Sequence, residues 1–222
     1  MTLDPFAEAR AALVRSLRDE ITDERVLAAI GKVPRERFVT DDLAAFAYQD
    51  RPLPIGHGQT ISQPRMVALM LQELALKGGE RVLEVGSGSG YQTALLSKVA
   101  GYVVGVELLP DLVEKASQAL ALLDYQNVEL HAAGEALGWR AGAPYDAIVV
   151  AAAAPRIPQS LVDQLAPGGR LVIPVGSRAG QELMLVELRP EGLTVTRKGA
   201  CRFVPLLGAE AFAASVSDSH TS

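Results

Sequence analysis

Three glycines in five residues, Gly86, Gly88 and Gly90, punctuate the run "VLEVGSGSGYQTALL" between an apolar strand-like segment and a helix-like one. A turn of this make-up carries the chain from strand to helix with bare backbone amides at the helix start, where a side chain would stand between them and a ligand. The texture then repeats: "YVVGVE", "PDLVEKASQALALL", "NVELH" and "YDAIVVAAAA" alternate short, near-continuous apolar strands with helices. Strands of this kind are buried on both faces, which requires a parallel sheet covered by helices on either side. An α/β chain with a doubly wound, mostly parallel sheet is therefore expected.

On both flanks the pattern changes. Residues 5–31 read as two amphipathic helices: Leu13, Leu17 and Ile21 recur at four-residue spacing, and Val26, Leu27 and Ile30 follow a Thr22-Asp23 start signal. Pro34 ends the second helix, and from there to Pro64 no strand pattern stands out. Ser62 as cap, Pro64 in the first turn, and Met66, Val67, Met70 and Leu74 as an apolar face predict a third helix. Further on, "PQSLVDQLA" reads as a helix, "PGGR" as a turn and "LVIPVG" as a strand. After Gly180, "ELMLVEL" and "LTVTRK" flank "RPEG" as an antiparallel hairpin at the C-terminal edge of the sheet. No linker is long enough to separate distinct domains. One domain over 1–222 is expected: a helical extension and loop in 1–75, an α/β core in 76–208, and a small polar tail in 209–222 that should fray.

The 21 basic and 26 acidic side chains leave a formal charge of −5, with no Lys/Arg stripe to follow a phosphate backbone, so nucleic acid is not an expected partner. Cys201 is the sole cysteine, which excludes an internal disulfide framework and a thiolate metal cage and fits a reducing cytoplasm. Neither a signal-type apolar core nor a long uninterrupted apolar run is present, so export and membrane insertion are not expected. His57, His131 and His220 share no metal-ligand spacing and read as structural or solvated, so no metal is expected. Arg35 and Arg37 read as surface or salt-bridge residues, and Trp139 as a packing residue.

The glycine turn carries the first chemical signal. The dinucleotide fingerprint is G-x-G-x-x-G, but here Tyr91 holds the last position of that pattern and the third glycine comes one residue early, giving E-x-G-x-G-x-G from Glu84. This spacing resembles the S-adenosylmethionine loop of Rossmann-like methyltransferases. Glu107 ends the next strand about twenty residues after Gly86, where an acid can accept both hydroxyls of a ribose. The plainer alternative is a turn that only permits tight helix–strand packing, with a solvated acid.

A second signal lies in "PLPIGHGQTISQP", residues 52–64, a loop with no acidic group and no hydrophobic period. Taken in order with "VPRERFV", "DAIVVAAAAPRIPQSLVDQLAPGGRLVIPVG" and "RFVPL", these segments closely resemble the protein-L-isoaspartate O-methyltransferase family from about Asp23 to Gly208. "GQTISQP" is far more specific than the glycine loop, which many methyltransferases share. The resemblance implies S-adenosylmethionine-dependent methyl esterification of the carboxylate of L-isoaspartyl, and also D-aspartyl, residues in damaged proteins and peptides. S-adenosyl-L-homocysteine would be the product. Collapse of the ester to a succinimide, then hydrolysis, returns some normal aspartate.

By the same resemblance the loop lies over the reactive methyl. The Ser62 hydroxyl sits close to the isoaspartyl carboxylate, Gln59 and Thr60 stand beside it, Leu53, Pro54 and Ile55 line the peptide groove, and Arg202 and Val204 lie near the substrate backbone. On the cofactor side it implies Glu84, Gly86, Ser87, Gly88, Gly90, Glu107, Leu108, Gly134, Glu135 and Ala151. A monomer is expected, since one accessible groove must admit many damaged chains.

Two positions depart from the family pattern. Glu135 and Ala136 stand where relatives carry the aspartate and second glycine of a Gly-Asp-Gly that holds the adenine amino group, and Ala151 replaces a threonine before "AAAP". A lost hydroxyl costs on the order of 1 kcal/mol if its hydrogen bond had been made. Two other functions compete: an aspartimide-forming methyltransferase for one dedicated peptide, and a non-catalytic adaptor that binds cofactor or damaged protein. Ser62 also has a purely local reading, as the cap of the third helix.

Overall fold

The computed structural model describes residues 4–212. Helices α1 (Ala7–Leu17) and α2 (Glu24–Lys32) lead into two 3₁₀ turns, Arg35–Phe38 and Asp41–Phe46, and then into strands β1 (Leu53–Gly56) and β2 (Gln59–Ile61) and helix α3 (Pro64–Leu74). The alternating region follows as β3 (Arg81–Val85), α4 (Tyr91–Val99), β4 (Tyr102–Glu107), α5 (Pro110–Leu122), β5 (Val128–Ala132), β6 (Tyr145–Val150) and α6 (Gln159–Val162). Strands β7 (Leu165–Ser177), β8 (Gly180–Arg189) and β9 (Gly192–Cys201) complete it.

The seven strands from β3 onward form one sheet in the order β5-β4-β3-β6-β7-β8-β9. The pairings from β5 across to β7 are parallel, and β7-β8 and β8-β9 are antiparallel. Apolar residues on both faces of the central strands explain the parallel region. Val82, Val103 and Val149 pack with the helices α2 to α4 on one face, and Leu83, Val104 and Ile148 pack with Leu161 and Leu206 on the other. Asp23 caps α2 as the sequence suggests, its Oδ1 accepting from the N–H groups of Arg25 and Val26 at 2.9 and 3.3 Å. Ahead of β5, Asn127 donates from Nδ2 toward the carbonyls of Ser97, Ala100 and Gly101, at 3.0, 3.5 and 3.2 Å, and so pins the α4–β4 turn to the sheet edge.

The structure corrects several expectations. Residues 53–61 form an antiparallel hairpin, with Leu53 opposite Ile61 and Pro54 opposite Thr60. Short strands with an internal proline carry almost no strand signal, and such a hairpin holds only because it packs on the rest of the chain. Helix α3 begins at Pro64 as expected, but its N-cap is Gln63 and no side chain caps it, so the Ser62 hydroxyl is not spent on capping. The "PQSLVDQLA" helix shrinks to four residues, and "PGGR" lies inside β7, where the register against β6 shifts between Tyr145 and Ala147. Arg35 is fully buried rather than a surface residue. Residues 213–222, with most of the expected frayed tail and His220, lie outside the described residues.

Candidate active site

Chain order reverses at β3. From there the chain runs outward through β4 and β5 and then returns to place β6 on the other side. The carboxyl ends of parallel strands at such a reversal leave a crevice open to a ligand.

Into it runs the glycine turn. Gly86, Gly88 and Gly90 all have positive φ, +87°, +53° and +85°. The N–H groups of Gly86 and Ser87 donate to the Val106 carbonyl at 2.8 and 3.2 Å, tying the loop to the end of β4. The Glu107 carboxylate, 8% exposed, accepts from the Gly88 N–H on Oε2 and from the Leu109 N–H on Oε1, both at 3.0 Å. Two backbone amides thus fix its plane, while its remaining lone pairs stay available to hydroxyls of a ligand.

Leu108 stands beside it, half exposed. The Glu107 carbonyl accepts from the Ala133 N–H at 2.8 Å, which brings the exposed Gly134 and Glu135 to the same edge. Across the crevice, a Cβ on Gly86 would meet the Ala151 Cβ at 3.7 Å, so the end of β6 borders the turn. Ser87 Oγ is buried without a hydrogen-bond partner. A bare glycine cradle, a clamped acid and an orphaned hydroxyl suit a nucleoside with a charged tail, which is the chemistry of S-adenosylmethionine.

Glu84 behaves differently from the other predicted cofactor residues. Its carboxyl is fully enclosed and accepts from Gln92 Nε2 at 3.0 Å and from the Thr93 hydroxyl, so it braces the root of the glycine turn against α4. Burial raises its pKa to about 7, against the pull of these two hydrogen bonds. A raised carboxyl pKa contributes stability that is complete below the unfolded value of 4.5 and lost as pH rises through 7. Wild-type protein should therefore lose on the order of 3 kcal/mol of unfolding free energy between pH 4.5 and 8 from this group. Urea denaturation should show a flatter profile for Glu84→Gln. Equal pH slopes for the two proteins would refute the assignment.

The hairpin covers the turn. A Cβ on Gly88 would lie 3.4 Å from Ile55 Cδ1, so β1 packs directly on the glycine loop. His57 at the hairpin tip has Nε2 3.3 Å from Asp111 Oδ2 in the first turn of α5. Leu53 faces inward and is 1% exposed, whereas Pro54 and Thr60 are exposed on the opposite face and Gln59 is half-buried. Ser62, half-buried, follows β2, and its carbonyl accepts from Arg35 Nη2 at 2.8 Å. The carbonyl of Val204 accepts from the Ala153 N–H at 2.8 Å, and the Leu206 N–H donates to the Ala153 carbonyl at 2.7 Å, which lays "RFVPL" alongside the chain leaving β6. Arg202 is exposed.

Two buried polar side chains beside these segments carry no sequence signal. Gln164 accepts from the Trp139 N–H on Oε1 at 2.8 Å and donates to the carbonyls of Leu137 and Ser160 at 2.9 and 2.7 Å, which locks the segment holding Gly134 and Glu135. Trp139 is stacked on His131, centroids 3.9 Å apart at 11°. Arg35 is the other. A lone glutamine near a helix and an arginine beside a glutamate both read as surface residues, and only the folded chain encloses them.

Residues 8–211 match the family model described as Protein-L-isoaspartate(D-aspartate) O-methyltransferase. Among curated relatives, a protein-L-isoaspartate O-methyltransferase 1 of Syntrophobacter fumaroxidans is 51% identical over 205 residues, 91% of this chain and 96% of its own length. One from Anaeromyxobacter dehalogenans is 55% identical over 190 residues, 84% of this chain and 90% of its own. A solved protein-L-isoaspartate O-methyltransferase superposes with a TM-score of 0.82 at 29% identity, covering 90% of this chain and 66% of that one. A Plasmodium falciparum structure described as of the same kind, in complex with S-adenosyl-L-homocysteine, gives 0.75 at 31% identity, with 87% and 95% covered. A match running through the helical extension, the hairpin, the glycine turn and the antiparallel edge leaves little of the chain outside it: the protein belongs to the protein-L-isoaspartate(D-aspartate) O-methyltransferase family.

Proposed function

We propose that the chain methylates the free α-carboxylate of L-isoaspartyl residues in damaged proteins and peptides, using S-adenosylmethionine, and so starts their repair. The observation that carries this reading is the contact of Ile55 with Gly88: the hairpin that bears Gln59, Thr60 and Ser62 sits on the turn that suits the methyl donor.

When bound, the donor supplies an electrophilic sulfonium methyl. A substrate carboxylate with a pKa of about 4 is already ionised at neutral pH, so its oxygen attacks without a general base. The residues need only orient it and keep water out. Ile55 supplies an apolar wall over the glycine turn, and the Ser62 hydroxyl donates to the carboxylate oxygen that does not attack. Glu107 holds the nucleoside end against the side-chain-free surface of the glycine turn, with Ser87, Leu108, Gly134, Glu135 and Ala151 around it. After release, the backbone nitrogen that follows the new ester displaces methanol to give a succinimide, and water opens that ring to aspartate or isoaspartate.

The reading extends to D-aspartyl residues, to a single domain over 1–222 that acts as a cytoplasmic monomer, and to chemistry without a metal, nucleic acid or membrane. No helix among the described residues is long and apolar enough to cross a bilayer. Transfer of labelled methyl to one peptide made with isoaspartate or with aspartate tests the proposal. Base-labile label should appear on the isoaspartyl form alone, and Ser62→Ala should lower kcat/KM about tenfold, the equivalent of one lost hydrogen bond. No label on either peptide, with cofactor still bound, would overturn it in favour of an adaptor.

A further inference from the structure

We propose that Arg35 is a positioning residue for methyl transfer, holding Ser62 in register with the glycine turn through its backbone. The inference rests on the role just given to Ser62.

Arg35 is 0% exposed and, among the described residues, makes no ion pair with a carboxylate. Its Nε donates to the Ala47 carbonyl at 2.7 Å and its Nη2 to the Ser62 carbonyl at 2.8 Å. The guanidinium carbon lies 4.7 Å from the centroid of the Tyr91 ring, and Tyr91 is the first residue of α4, directly after Gly90. Phe38 meets the same ring edge-on at 5.8 Å. One cation thus joins, from behind, the end of the second 3₁₀ turn, the residue after the substrate hairpin and the helix that the cofactor turn opens.

A buried guanidinium with no carboxylate in ion-pair contact is an expensive way to fill space, even with the Tyr91 phenol and, more remotely, Asp50 offsetting part of its burial. An apolar side chain of the same volume would serve packing alone at less cost. What it could not do is fix the direction of the Ser62 carbonyl, and with it the Cα from which the hydroxyl projects. A rigid fork that reaches two carbonyls while stacking on a ring is a geometry that lysine reproduces only incompletely.

The test is a double-mutant cycle with Arg35→Met and Ser62→Ala, read with an isoaspartyl peptide. Arg35→Met alone should lower kcat about tenfold with KM changed less, and the same change made in the Ser62→Ala background should cost less than about twofold, because the group being positioned is gone. Binding of S-adenosylhomocysteine by calorimetry should stay within about threefold of wild type in every variant. If Arg35→Met does not fold, Arg35→Lys replaces it in the same cycle, with a smaller loss that also disappears in the Ser62→Ala background. Equal losses in both backgrounds, or a parallel loss of cofactor affinity, would overturn the inference while leaving the Ser62 role intact. Full activity in Ser62→Ala alone would overturn that role, and this inference with it.

Discussion

Glu107→Gln should weaken binding of S-adenosylhomocysteine by about 100-fold or more, measured by titration calorimetry, without unfolding the chain. The Glu107 carboxylate accepts one amide from the glycine turn and one from the start of α5. Its remaining lone pairs are the ones open to the two ribose hydroxyls, and a hydrogen bond to a charged group contributes about 1.5–3 kcal/mol, so weakening both ligand bonds removes on the order of 3 kcal/mol, equivalent to about two decades in Kd. Glutamine is nearly isosteric but offers one acceptor and one NH₂, so one of the two backbone N–H groups would face a donor. Either it loses its partner or the side chain turns away from the ribose. The residue ends a buried parallel strand whose pairing with β3 and β5 does not involve its side chain, so the sheet should survive. Wild-type affinity in this variant would show that Glu107 only shapes the loop and that recognition lies elsewhere.

A large loss of stability is expected at Gly90→Val. Gly90 has φ +85°, and a Cβ there would lie 3.1 Å from the Ala116 Cβ and 3.5 Å from its Cα on α5, so the clash falls on a neighbouring helix rather than on a movable side-chain tip. Left-handed strain in a β-branched residue and overpacking together should cost about 4 kcal/mol, a large share of the stability of an ordinary domain. Gly168→Val is the matched control. Gly168 has nearly the same φ, +80°, but open space where its Cβ would go, and should lose only about 1–2 kcal/mol. Urea midpoints for the two variants separate the contributions. Equal losses would mean that the Gly90–α5 contact is looser than its geometry implies.

The alternating core was legible because its signals are local. "RVLEV" and "YVVGVE" are strands at the expected residues, and the glycine turn and Glu107 meet where a strand–turn–helix–strand unit must bring them. The hairpin at 53–61 was not legible as structure, since three- and four-residue strands with Pro54 and three successive positive-φ positions, Gly56, His57 and Gly58, carry no period. The function proposed for it rests on the motif and not on any strand signal. Arg35, Gln164 and the bracing role of Glu84 were hidden for one common reason. Each is a polar side chain whose partners come from distant stretches of the chain or only in the closed core, and polarity alone points such residues outward.

The way Asn127 is held bears on how long such a protein lasts. Isoaspartate forms when the backbone nitrogen after an asparagine or aspartate attacks that residue's own side-chain carbonyl carbon, most readily ahead of glycine in a loose segment. Asn127 is the sole asparagine in the sequence, and no aspartate in the chain precedes a glycine. The Asn127 amide is held toward three carbonyls while Val128, the residue that would attack it, is paired with Val103 in the sheet. Ring closure there would have to break the sheet edge first. At its one asparagine, a chain that corrects this lesion in others is thus held in the conformation least suited to acquiring it.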